Sequence, residues 1–285
     1  MSIIERISAR TMVSERTPTP SFPKSVKIEV TSRCNMNCSF CATSKGLRKH
    51  GDMSLETFER VCKDCVDSGV EEVGLFLLGE SLVLPNLERY CEIAKKVGAK
   101  RVFLTTNGIL ATPERVEGLV CAGLDSLKFS IGTPPEDYRV IQNLLFAAWF
   151  CSGHGVEVSA SSVFDPDKAE QQNRLRASLA PYIDSYYCLP QMNQAGHMPT
   201  GCNGNPGTLR DPRPIQPCWV LFNTAHITWD GHMTACCFDH DGRFKVADLF
   251  TTSVKDAWNC RKFTDLRAAH LSGKAKESLC ERCLG

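Results

Sequence analysis

Three cysteines stand close together in Cys34-Asn35-Met36-Asn37-Cys38-Ser39-Phe40-Cys41. They make a poor disulfide set and a good metal set. A four-iron cube held by three thiolates keeps one iron open. An open coordination position separates a chemical metal site from a structural one. A zinc knuckle or three unrelated core cysteines are the blander readings, but a loop rich in Asn and Ser is not a core pattern. A second set comprises Cys218, Cys236, Cys280 and Cys283, ending in a Cys-x2-Cys. Two such halves suit zinc or a four-iron cluster equally. Cys62-Lys63-Asp64-Cys65 also has redox spacing. Its sulfurs fall on the apolar face of a predicted helix with Phe58, Val61 and Val66, where packing is the better reading.

The elements around the first set are periodic. Ser25-Val26-Lys27-Ile28-Glu29-Val30 alternates as a half-buried strand and delivers the cysteine loop. Ser54 is a predicted N-cap, and Gly69 ends the helix between them. Further strands are predicted at 72–78, 101–105, 126–131, 156–163 and 184–189. Helices are predicted between them, one with Thr112 and Pro113 at its start. This alternation implies parallel βα units and a partial (β/α)6 barrel in an α/β fold. Functional residues of such barrels lie at the C-terminal ends of the strands. Here those ends carry the cysteine loop, Gly79-Glu80, Thr106-Asn107-Gly108 and Ser130. Residues 1–24 read as an arm or linker, 25–190 as the barrel, and 191–285 as a small domain built on a hairpin and helices. Asp230-Gly231 between alternating runs predicts a two-residue hairpin turn, which sets Cys236 opposite Ala225.

Cys-x3-Cys-x2-Cys with an aromatic before the third cysteine resembles the signature of the radical S-adenosylmethionine (SAM) superfamily. The resemblance implies a [4Fe-4S] cluster on Cys34, Cys38 and Cys41 whose open iron chelates SAM. It also implies a Gly79-Glu80 pair holding the SAM amino group, although many members carry Gly-Gly-Glu where this chain has Leu78-Gly79-Glu80. Phe40 is expected beside the adenine, with Ser130 at the ribose or carboxylate and Asn107 as a further SAM contact. Cys218, Gly231 and Cys236 resemble the opening of the SPASM motif. With the chain ending soon after Cys283, the shortened "twitch" form is expected, holding one auxiliary [4Fe-4S] cluster on Cys218, Cys236, Cys280 and Cys283. The Trp258, Phe263 and Arg267 helix is similar to twitch-containing dehydrogenases of aminocyclitols.

The resemblance implies an oxidoreductase in which a 5′-deoxyadenosyl radical takes a hydrogen atom from a substrate carbon. The expected reaction is oxidation of a secondary alcohol of a sugar or aminocyclitol, with the auxiliary cluster accepting an electron. A one-electron donor such as flavodoxin or ferredoxin is the expected partner. Epimerisation is the alternative, with Cys237 as hydrogen donor and Cys188 and Cys202 as rivals. Peptide modification is another, although 24 residues are few for a peptide-binding domain. A zinc-binding interaction module is the alternative of another class. The bulk numbers fit a globular protein, with 285 residues, 42% hydrophobic content and 33 basic against 32 acidic side chains. That balance gives no electrostatic case for nucleic acid or an anionic membrane. The longest apolar run, Leu144 to Cys151, is far short of the roughly 20 residues a span needs. No secretory signal is read at the start. Sixteen cysteines in a chain expected to be cytoplasmic point to metal or thiol chemistry.

Overall fold

The computed structural model describes residues 16–132, 137–189, 192–198 and 217–284. Six strands follow the predicted alternation: β1 (Ser25–Ile28), β2 (Glu72–Gly74), β3 (Arg101–Thr106), β4 (Ser126–Ser130), β5 (Glu157–Val163) and β6 (Ser185–Leu189). Between them run α1 (Leu55–Asp67), α2 (Leu87–Lys96), α3 (Pro113–Cys121), α4 (Arg139–Ser152) and α5 (Ala169–Leu179). Ser54 caps α1 by accepting from the Thr57 N–H at 3.1 Å. All neighbouring pairs from β1 to β6 are parallel. Among the described residues, no helix is long and apolar enough to cross a membrane.

The alternation within the strands divides the sheet into two faces. Val26, Ile28, Val73, Val102, Leu104, Leu127, Phe129, Val158 and Ala160 are buried in one hydrophobic core with residues of the helices. The opposite, concave face is polar. In register across it stand Lys27, Gly74, Phe103, Ser126 and Glu157, and one step up Thr105, Lys128, Ser159 and Ser185. Side chains in register point the same way. Cys62 and Cys65 are fully buried in α1, as predicted, and burial pushes the Cys62 thiol up to about 12.

The C-terminal region extends this sheet. After a short helix α6 (Val220–Asn223), strand β7 (Thr224–Ile227) pairs in parallel with β1, and β8 (His232–Thr234) and β9 (Lys245–Asp248) follow antiparallel. The nine strands form one sheet in the order β6-β5-β4-β3-β2-β1-β7-β8-β9. Helices α7 (Val254–Trp258), α8 (Arg261–Leu271) and α9 (Glu281–Leu284) complete the chain.

Three predicted features differ. The second strand leaves the ladder after Gly74, because the Ser81 hydroxyl takes the Leu75 carbonyl and turns the chain. The run from Val220 begins as a helical turn, which supplies the curl that brings Cys218 back toward the hairpin. The hairpin turn has three residues rather than two. Thr228 N–H donates to the His232 carbonyl at 2.9 Å, and Gly231 takes φ +77°, the left-handed residue that such a three-residue loop requires. Ile227 therefore faces Met233. The pairing is shifted by one residue from that of a two-residue turn, and the ladder ends at Thr234, so no strand register sets Cys236 opposite Ala225.

Candidate active site at the strand ends

The cysteine loop leaves β1 and is fixed at its base. Arg33 grips Asp52 through two parallel hydrogen bonds of 2.9 and 2.6 Å, while the Thr31 hydroxyl donates to the same carboxylate at 2.6 Å. A Cβ at Gly79 would lie 2.4 Å from the Thr31 carbonyl oxygen and 2.7 Å from that of Arg33. Glycine is required there for the passage of the cysteine loop itself. The Glu80 N–H donates to the Arg33 carbonyl at 2.8 Å, tying the two strand ends together.

Glu80 is 3% exposed. Its Oε1 accepts from Leu82 N–H at 3.0 Å and from the Thr106 hydroxyl at 2.9 Å, and its Oε2 accepts from Asn107 N–H at 2.6 Å. Burial raises its pKa, and these bonds work against the shift. Among the described residues it has no cationic partner. Asn107 reaches across to Asn35 of the cysteine loop at 2.8 Å. Burial pushes the Cys34 thiol up; the Met36 N–H opposes this, and the charges of Glu80 and Cys41 add to it. The predicted convergence of Cys34, Cys41, Glu80 and Asn107 is therefore present. Ser130 is exposed at the end of β4, level with Ser161, and no bond joins it to Glu80 or Asn107.

The far side of the loop is held by a residue that sequence reasoning missed. Gln194 donates to the Phe40 carbonyl at 2.8 Å and accepts from Ala42 N–H at 2.9 Å. Gln194 and Ala195 both adopt positive φ, at 48° and 59°, a costly conformation for residues with a Cβ. The neighbouring atoms anchor the C-terminal cysteines. Arg243 donates to the Ala195 carbonyl at 2.7 Å, and the Asn193 amide donates to the carbonyls of Arg282 and Cys283 at 3.1 and 3.0 Å. One short segment thus touches both cysteine sets. Replacing Gln194 by Leu removes two hydrogen bonds from the loop. If the loop holds iron, as its sequence predicts, a chelator is expected to strip that iron on the order of tenfold faster. Loss of the charge-transfer absorbance over time measures this, and an unchanged rate would show that the clamp is idle.

Burial pushes the Cys218 thiol up to about 12 and Cys280 to about 11. Burial also raises Cys236 and Cys283. The thiols oppose one another's ionisation: Cys218 senses Cys237, Cys280 and Cys283, and Cys236 senses Cys237, Cys218 and Cys280. Such a set becomes anionic together only when a cationic centre binds it. Among the described residues, no three His, Cys, Asp or Glu side chains converge closely enough for a single metal ion.

Cys237 was expected on the opposite face from Cys236 by strand alternation. Alternation does not reach it, because β8 ends at Thr234 and Cys237 lies in a turn. Its thiol senses the charges of both Lys27 and Cys283. Cys188 is exposed on β6, with its sulfur 3.9 Å from the Ser162 hydroxyl and from the Gln172 amide oxygen. Cys202 lies outside the described residues.

The radical SAM superfamily matches at residues 28–149, and the iron-sulfur cluster-binding SPASM domain matches at residues 218–284. A probable GTP 3′,8-cyclase of Methanothermobacter marburgensis is 36% identical over 118 residues, which cover 41% of this chain and 38% of that protein. The GTP 3′,8-cyclase of Geobacter sulfurreducens is 34% identical over 124 residues, covering 42% and 37%. The matched stretch thus spans less than two fifths of these relatives. Two solved structures share the fold over nearly the whole chain. BtrN in complex with AdoMet and 2-DOIA aligns with a TM-score of 0.64 at 18% identity, covering 92% of this chain and 93% of that one. SuiB of Streptococcus suis, bound to the precursor peptide SuiA, aligns with a TM-score of 0.68 at 15% identity, covering 93% and 70%. The shared fold is the radical SAM partial barrel, and its family cofactors are SAM, a [4Fe-4S] cluster and auxiliary iron–sulfur binding. The iron–sulfur match replaces the zinc-module reading.

Proposed function

We propose that this chain, a radical SAM enzyme with a C-terminal SPASM iron–sulfur cluster-binding domain, oxidises a secondary alcohol of a small sugar- or cyclitol-like molecule. The observation that carries this reading is the Asn193–Gly196 segment. It joins the three-cysteine loop to the segment that carries the C-terminal cysteines, which supports reading one as the site of radical formation and the other as a nearby electron acceptor. The likeness to BtrN, which covers more than nine tenths of both chains, supports a small-molecule substrate.

In this reading Cys34, Cys38 and Cys41 hold the cluster that binds SAM, and Cys218, Cys236, Cys280 and Cys283 hold the auxiliary cluster. When bound, these groups supply a 5′-deoxyadenosyl radical and an electron acceptor. The buried Glu80 carboxylate, with no cation of its own among the described residues, receives the SAM ammonium. Gly79 brings the backbone of that strand end against the cysteine loop. Asn107 and Asn35 fix the loop relative to Glu80, and Phe40 and Ser130 are the residues that would hold the adenine and the ribose or carboxylate. The net change is CH–OH to C=O, with one hydrogen atom leaving the carbon and a proton and an electron following. The starting electron comes from a reduced flavodoxin or ferredoxin.

A second reading draws on Cys237, whose thiol senses the charge of Lys27 on the concave face. An epimerase would return a hydrogen atom to the substrate radical from that thiol. Substrates deuterated at single carbons test both. In the oxidation, deuterium enters 5′-deoxyadenosine, a ketone forms, and Cys237→Ala keeps turnover. Solvent deuterium in an epimer, lost in Cys237→Ala, overturns oxidation in favour of epimerisation.

A further inference from the structure

Among the described residues, the concave face holds two cations with no counterion. Lys27 on β1 and Lys128 on β4 sit on rows that face the same way, Lys27 level with Gly74 and His226, and Lys128 level with Thr105 and Ser159. Both are half-buried. Among the described residues neither makes a hydrogen bond or ion pair; the Lys27 ammonium lies 5.3 Å from the centre of the Phe76 ring. Other charges near this face are satisfied. Arg101 pairs with Glu157, and Glu29 pairs with Arg48. The Glu80 carboxylate is held by Leu82, Thr106 and Asn107 and, in the proposed reading, meets the SAM ammonium. Lys27 senses the Cys237 thiol, and Lys128 does not.

Withdrawing an ammonium from water is costly unless an opposite charge meets it. Burial and the charge of Lys27 push Lys128 down to about 8, so the two ammoniums disfavour each other. His226, fully enclosed beside Lys27, is held neutral mainly by burial and adds no negative charge. A single anion between the two lysines relieves both costs. An amine-bearing cyclitol would add a third cation to this face.

We propose that Lys27 and Lys128 form an anion subsite for the substrate, which carries a carboxylate or a phosphate near the carbon that loses hydrogen. This deepens the reading of the site as one for a sugar- or cyclitol-like molecule. It favours a sugar acid or sugar phosphate and disfavours an aminocyclitol.

The test is calorimetric binding to the full chain with both clusters reconstituted and SAM present. The probes are inorganic phosphate, glucose 6-phosphate, glucuronate, glucose and glucosamine, and the iron–sulfur absorbance per chain checks folding. Phosphate and at least one of the two anionic sugars are expected to bind more tightly than glucose, and glucosamine most weakly. Tighter glucose 6-phosphate assigns a phosphate, and tighter glucuronate a carboxylate. Lys27→Met and Lys128→Met are each expected to weaken anion binding by about thirtyfold or more, with Lys128→Arg retaining most of it. Anions that bind no better than glucose, or equally to wild type and both Met variants, overturn the proposal. Binding involves no hydrogen abstraction, so this result stands apart from the alcohol oxidation. An anionic sugar that binds through the lysines without transferring deuterium sinks the oxidation alone.

Discussion

Glu80→Gln is expected to weaken SAM binding by between about thirtyfold and five thousandfold while leaving the iron–sulfur absorbance in place. The carboxylate is buried and unpaired by any cation among the described residues, yet three donors hold it in one orientation. Two of those donors share Oε1, so Oε2, bonded only to Asn107 N–H, has a lone pair to offer. An ammonium arriving there makes a charge-assisted bond in a site from which water is largely removed. Losing one partner of such a buried pair costs about 2–5 kcal/mol, which is the range quoted. Glutamine keeps the size but removes the charge and turns a donor toward one of the three groups that need an acceptor. Thr106→Val separates these effects, because it removes one donor at Oε1 and leaves the charge. Calorimetric titration of SAM should show a small loss for Thr106→Val and a large one for Glu80→Gln. Equal losses would mean that Glu80 only braces the strand ends.

The strands and helices of the barrel were legible because their period is local. Val26 and Ile28, or Leu127 and Phe129, announce a buried face by alternation alone, and Ser54 announces a helix start. The cysteine sets were legible through spacing, and Glu80 through its place after the second strand. Contacts distant in sequence were not. The parallel pairing of β1 with β7 joins residues about two hundred positions apart, and no local pattern specifies it. Asp230-Gly231 suits two hairpin loops that differ by one residue, so the register stayed open until Thr228 and His232 were seen to pair. Gln194 lies in a segment without period, and its positive φ belongs to a residue type that rarely adopts it. Lys27 and Lys128 did leave a signal. Each is a lysine at the polar position of an otherwise apolar or small-residue strand. That pattern reads as a solvent face until the barrel closes over it.

Arg267→Ala is expected to cost about 4 kcal/mol or more and to release the auxiliary cluster while the SAM-binding cluster remains. Arg267 is fully buried, with its guanidinium carbon 4.2 Å from the Trp258 ring centre and 3.9 Å from that of Phe263. It donates to the carbonyls of Leu221 and Trp258 at 2.8 Å each, and to the Pro18 carbonyl and the Asn259 amide oxygen at 3.2 Å. One side chain therefore joins the arm before β1, the turn after Cys218 and helices α7 and α8. Burial pushes its pKa down to about 9, with no carboxylate to compensate. Truncation leaves a large cavity between two aromatic rings and several buried carbonyls without donors. Cavities of this size cost about 3–5 kcal/mol, and each orphaned group adds about 1–3 kcal/mol before relaxation. Natural domains have only about 5–15 kcal/mol in total, so the C-terminal unit should lose its order first. Lysine does not rescue it, because a point charge cannot reach the carbonyls of Leu221 and Trp258 together. Thermal unfolding should fall by about 10 °C. Iron analysis should show loss of the share held by Cys218, Cys236, Cys280 and Cys283, while SAM binding at the three-cysteine site persists. An Arg267→Ala protein with unchanged melting and full iron content would show that the arginine is a passenger in the aromatic cluster rather than the tie that holds the auxiliary cysteines to the barrel.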